Sequence, residues 1–102
     1  MANGQLGAYD LAATTNTTLY NPSGKTGGVT VSLCNRNATS VTVRLAIAST
    51  ATPSAAEWVE YGATIFANNV LERTGLVVGS GQYLVAWASG TGVSAIVMGY
   101  ED

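Results

Sequence analysis

Strict alternation of apolar and polar residues dominates the chain and predicts β-strands along its length. The clearest run has Val29, Val31 and Leu33 interleaved with Thr30, Ser32 and Cys34. A period of two puts one face of such a strand in a core and the other outside. Val41, Val43, Leu45 and Ile47 repeat the pattern, with Thr42, Arg44, Ala46 and Ala48 on the opposite face. The connector Asn35 to Ser40 is rich in turn formers, so these two runs are expected to pair as an antiparallel hairpin. Tyr83, Val85 and Trp87 alternate with Leu84, Ala86 and Ala88, and a turn of Ser89, Gly90, Thr91 and Gly92 leads into Val93 to Tyr100, which predicts a second hairpin. Both faces of that hairpin are apolar, whereas an antiparallel sheet ordinarily leaves one face polar unless something covers it. A neighbouring subunit would serve as the cover.

Between the hairpins, Glu57 to Tyr61, Ala63 to Phe66 and Val70 to Val78 read as further short strands, separated by Gly62 and by Asn68 with Asn69. Ser54 and Glu57 have capping-box spacing, which allows one helical turn after Pro53, although the alternation of Val59 and Tyr61 favours a strand. Leu6, Tyr9, Leu11, Leu19 and Tyr20 anchor two short N-terminal strands joined by a polar loop. Residues 1–16 are expected either to fold back as an edge strand or to reach a neighbour as an arm. The reading is a single domain over residues 1–102: an all-β antiparallel sandwich of about seven to nine strands, jelly-roll or immunoglobulin-like, with a closed barrel as the competing topology.

Composition changes the picture of the surface. Of 102 residues, 47% are hydrophobic and only 10% charged, against about 25% charged in an ordinary soluble domain. The cover must be Thr, Ser, Asn, Gly and Ala, small groups that are cheap to desolvate when proteins meet. A net charge of −2, with Lys25, Arg36, Arg44 and Arg73 scattered, offers no basic patch for nucleic acid. No apolar stretch approaches the roughly 18 residues of a membrane helix, and neither nucleic acid nor membrane is expected as a partner. The N-terminus lacks the form of a secretory signal, so the chain is expected to be a complete protein made in a cytoplasm. Cys34 is the lone cysteine, which excludes a disulfide within one chain and suggests a small core filler.

Candidate chemistry is sparse. Histidine is absent, which removes the commonest general base and transition-metal ligand. Ser23, Gly24, Lys25 and Thr26 resemble the end of a phosphate-binding loop, but Leu19 stands where that motif needs its first glycine, and a plain turn is the simpler reading. Glu57 and Glu60 would face opposite sides of a strand, and the other carboxylates lack calcium-loop spacing. No catalytic, cofactor-binding or metal-binding residue is expected. Trp58, Tyr61, Tyr83, Trp87 and Tyr100 could form a sugar-stacking platform, anchor a protein interface or pack in the core. Arg44 and Arg73 sit in alternating runs and need partners, for which Glu57, Glu60 and Glu72 are available across strands or subunits. The candidate interface residues are therefore Arg44, Trp58, Glu60, Tyr61, Arg73 and Tyr100.

The run "LYNPSGKTGGVTVSLCNRNATSVTVRLAIAST", with the later "LERTG", resembles small β-sandwich structural proteins of tailed-bacteriophage virions, notably those of marine and cyanobacterial hosts. Its most specific part is "CNRN" followed by "VTVRLAIA", a structural signature from which no functional residue carries over. The resemblance implies a non-enzymatic virion component made in the host cytoplasm and present in repeated copies. A capsid decoration protein is the first choice, self-associated with a trimer favoured, and bound to the major capsid protein or other virion proteins. A neck, tail or fibre component is the structural competitor, and a carbohydrate-binding module is the alternative from a different class.

Overall fold

The computed structural model describes residues 3–102. Eight strands follow one another: β1 (Asn3–Asp10), β2 (Thr17–Tyr20), β3 (Gly27–Asn35), β4 (Val41–Ala48), β5 (Trp58–Ile65), β6 (Val70–Val78), β7 (Tyr83–Ala88) and β8 (Val93–Glu101). They form two four-stranded antiparallel sheets, ordered β1-β8-β3-β6 and β2-β7-β4-β5. The fold is an all-β sandwich. Of consecutive strands only β4 and β5 are neighbours; every other connection passes from one sheet to the other. That order is the eight-stranded jelly roll, and it decides against the immunoglobulin-like order and the closed barrel. β1 lies on β8 as an edge strand of its own sheet; residues 1 and 2 of the segment 1–16 lie outside the described residues.

Neither expected hairpin forms. β3 pairs with β8 and β6 while β4 pairs with β7 and β5, and β7 and β8 likewise belong to different sheets. Alternation alone cannot separate a hairpin from an arch, because both leave one face of each strand on the core. Here the inward residues of β3 (Val29, Val31, Leu33) and β4 (Val41, Val43, Leu45) come from opposite sheets into one buried cluster, joined by Leu84, Ala86, Val93 and Val97. Each such Val or Leu side chain contributes roughly 1.5–3 kcal/mol of burial.

Asn35 explains the arch. Its side chain is fully buried, and its amide donates to the carbonyls of Thr39 (2.9 Å), Ile65 (3.1 Å) and Phe66 (3.2 Å) while its oxygen accepts from the Asn37 N–H at 2.9 Å. The connector is thereby tied to the end of β5 instead of to a hairpin ladder. Arg36 pairs with Asp10 at 2.6 Å and the Asn37 amide donates to the Thr91 carbonyl at 2.7 Å, so "NRN" stitches three loops at one end of the sandwich. At the other end the buried Tyr20 hydroxyl donates to Glu101 at 2.6 Å, and Lys25 reaches the same carboxylate at 3.4 Å. Gly27 makes room for this: a β-carbon there would stand 2.5 Å from the Tyr20 hydroxyl oxygen.

Three local expectations change. The two strands anticipated on either side of Gly62 are one strand, β5, which passes Gly62 at φ +78° in a bulge. The turn after Pro53 does form, as a single 3-10 turn over Ala55–Glu57. Glu57 accepts the N–H groups of Ser54 and Ser49 at 2.9 Å each; these bonds, Ser54 first, hold its carboxyl below the usual range. Cys34 is not a core filler: it alternates with Leu33 and lies half-buried on the outer face of β3, because a period of two sends neighbours to opposite faces.

Candidate protein interface

β5 and β6 are the last strands of their respective sheets and lie along the same side of the sandwich, where Glu60 of β5 forms an ion pair with Arg73 of β6. Glu60 stands opposite Leu45 and Arg73 opposite Val31, so both point inward from their edges. A carboxylate drawn toward the core is costly unless a cation meets it; Arg73 is that cation. Its partner lies in the same chain, the cross-strand form of the Arg73 pairing.

Arg44 has a different setting. It lies on the outer face of β4, opposite Tyr61 on one side and Trp87 on the other. Its guanidinium carbon sits 4.3 Å from the Tyr61 ring centre and 4.0 Å from that of Trp87. Each cation–π contact contributes about 0.5–2 kcal/mol, depending on desolvation. Trp58 packs edge-on against Tyr61, with ring centres 5.4 Å apart. Trp58 and Tyr61 are three apart, and strict alternation would send them to opposite faces. An irregularity at Val59, between the pairs Leu45 with Glu60 and Ala46 with Trp58, brings both to the outer face and leaves Glu60 inward. Bulges re-aim side chains in this way. An open groove of about 390 Å³ borders the cluster, lined by Ala55, Trp58 and Tyr61.

The apolar exposure of the molecule is uneven. Apart from Tyr9 and Tyr100, the large apolar side chains exposed among the described residues are Val59, Tyr61, Phe66, Val70 and Val77, and all five belong to β5, β6 or the turn that joins them. Scattered exposed apolar residues need no explanation, whereas a concentration along one edge does.

The structure thus brings Arg44, Trp58 and Tyr61 together and adds Trp87, joins Glu60 to Arg73 beside them, and leaves Tyr100 apart on the outer face of the other sheet, opposite Asn3 and Gly28. Phe66, Val70 and Val77 were not singled out from the sequence. The available signal was the run Val70 to Val78, apolar on both faces of one strand. Among the described residues no three His, Cys, Asp or Glu side chains converge as a metal site. Comparison with protein-family models, curated proteins and solved structures gives no match.

Proposed function

We propose that the chain is a non-enzymatic structural component of a tailed-bacteriophage virion, a capsid decoration protein that attaches to the shell as an oligomer and stabilises it. The observation that carries this reading is the β5–β6 edge. Two bulges in β5 and the inward Glu60–Arg73 pair guard this edge against strand pairing, so it meets a partner through side chains, and its two strands carry most of the large apolar side chains exposed among the described residues. A surface of this kind suits permanent contact. Beside it, on the outer face of the β7-β4-β5 sheet, lies a cluster of Arg, Trp and Tyr, the residue types that dominate binding hot spots. A standard interface buries about 800 Å² per partner, a modest share of the 5114 Å² this chain exposes. The resemblance of the "CNRN…VTVRLAIA" run to virion proteins supplies the setting, since jelly rolls serve many functions and the fold alone names none.

The glycan-binding alternative is less well supported by the aromatic cluster. Sugar stacking needs free ring faces, and the Arg44 guanidinium covers one face each of Tyr61 and Trp87. The test is addition of the purified chain to particles from a phage lacking its gene. Saturable co-sedimentation at fixed stoichiometry, with a shell that withstands more heat than the depleted one, is the expected result. Intact depleted particles that fail to adsorb to cells, or glycan binding abolished by Trp58→Ala, would overturn it in favour of an attachment role.

A further inference from the structure

We propose that the β5–β6 edge is a self-interface in which Arg44 of one copy meets Glu72 of the next. The proposal rests on the reading that the protein works as an assembled part, and it names the contact that assembles it. Among the described residues, Lys25 pairs with Glu101, Arg36 with Asp10 and Arg73 with Glu60, so Arg44 is the one cationic side chain without a carboxylate. Its Nε is buried with no acceptor among the described residues, so a carboxylate from outside meets the terminal guanidinium nitrogens. Glu57 is held by two backbone N–H groups. Among the described residues, the carboxylate side chains left without a hydrogen bond or ion pair are Glu72 and Asp102. Asp102 follows the end of β8, two strands in from the edge, whereas Glu72 lies exposed on β6 itself, opposite Ser32 on the outer face of its sheet.

The unpaired cation and the unpaired anion therefore flank one edge from its two sides, Arg44 on the outer face of β4-β5 and Glu72 on the outer face of β6. Copies related by rotation about an axis along this edge set the first face against the second. That arrangement is self-complementary in charge and can close into a ring. It also buries Val59, Tyr61, Val70 and Val77, which a single copy leaves exposed. Two rings already hold the Arg44 guanidinium in place, so little freedom is lost when a carboxylate arrives.

Charge reversal tests the pairing. Molar mass by light scattering, over a concentration series of the full chain, is expected to show an oligomer for the wild type. Glu72→Arg and Arg44→Glu should each weaken association by more than about tenfold, because like charges then face each other across the contact, and the double variant should regain the oligomer. Glu72 is exposed and makes no hydrogen bond or ion pair among the described residues, so Glu72→Arg keeps the test decisive even if Arg44→Glu loosens the ring stack and fails to fold. A monomeric wild type, a Glu72→Arg chain that keeps its full mass, or a folded double variant that stays monomeric would overturn the proposal. Particle binding measured on the same samples separates the two readings: an oligomer that ignores capsids defeats the decoration role alone, while a monomer that binds them defeats the self-interface alone.

Discussion

At the scale of single residues, the polar groups of the interior decide more than their number suggests. Asn35 read as one of several turn formers, and nothing in a local pattern announces that its amide will bridge Thr39, Ile65 and Phe66; such a role depends on segments thirty residues away. Asn35→Ala strands buried carbonyls at one end of the sandwich and is expected to cost roughly 2–4 kcal/mol, read as a shift in the denaturation midpoint at constant slope. Tyr20 and Glu101 form the matching knot at the other end, and their titration is linked. The Tyr20 hydrogen bond, ahead of the charge of Lys25, holds the Glu101 carboxyl below its ordinary 4.5. A carboxyl lowered by folding contributes stability above its unfolded value, and that stability is lost as pH falls through the folded one. Burial, then the Glu101 bond, raises the Tyr20 hydroxyl above its ordinary 10.0, so its contribution is complete below pH 10.0 and is lost as pH climbs beyond. Tyr20→Phe should flatten both limbs. Melting temperatures from about pH 3 to pH 11 check this, and an unchanged acid limb would place the stabilising contact elsewhere.

At the scale of elements, strands were legible where one face is apolar and the other polar, as in β3 and β4, because period two is a local property. Partners were not. The five-residue connector between β3 and β4 carries turn chemistry suited to a hairpin, and the arch won because Asn35 and the inward Val and Leu residues join two sheets. β5 misled for a related reason: Gly62 and the irregularity at Val59 interrupt alternation, so one strand looked like two, and the side chains at Trp58 and Tyr61 came to share a face. The aromatic and arginine candidates could be picked out by residue type, but their grouping depends on those two bulges. Gly62 at φ +78° has open space where a β-carbon would go, so Gly62→Ala carries no steric clash, only the backbone penalty of about 1–2 kcal/mol for a left-handed residue. The bulge relieves that strain by shifting register, which would carry Tyr61 away from Arg44. The expected outcome is a lowered melting temperature together with altered near-ultraviolet dichroism from the aromatic cluster; a dichroism spectrum identical to wild type would mean that the bulge does not set the Tyr61 ring.

At the scale of the whole molecule, the fold class could be read from the chain because alternation and turn residues pointed the same way, while the scarcity of charge bore on the surface alone. Strand order could not, since a jelly roll with one adjacent pair of consecutive strands is specified by contacts distant in sequence. The same scarcity of charge makes a prediction about assembly. With three of four cationic side chains neutralised inside their own chain among the described residues, association must draw its strength from the apolar edge, while Arg44 and Glu72 set the register. Exposed charges farther apart than about 3 Å are screened at 1 M salt, and an exposed ion pair contributes only about 0–1 kcal/mol. The dissociation constant of the wild-type oligomer should therefore move by less than about threefold between 0.1 M and 1 M sodium chloride. An interface built on long-range charge attraction would weaken far more over that range. Sedimentation velocity at the two salt concentrations distinguishes them: a complex that falls apart in 1 M salt would place the affinity in the charges rather than in the edge formed by Val59, Tyr61, Val70 and Val77.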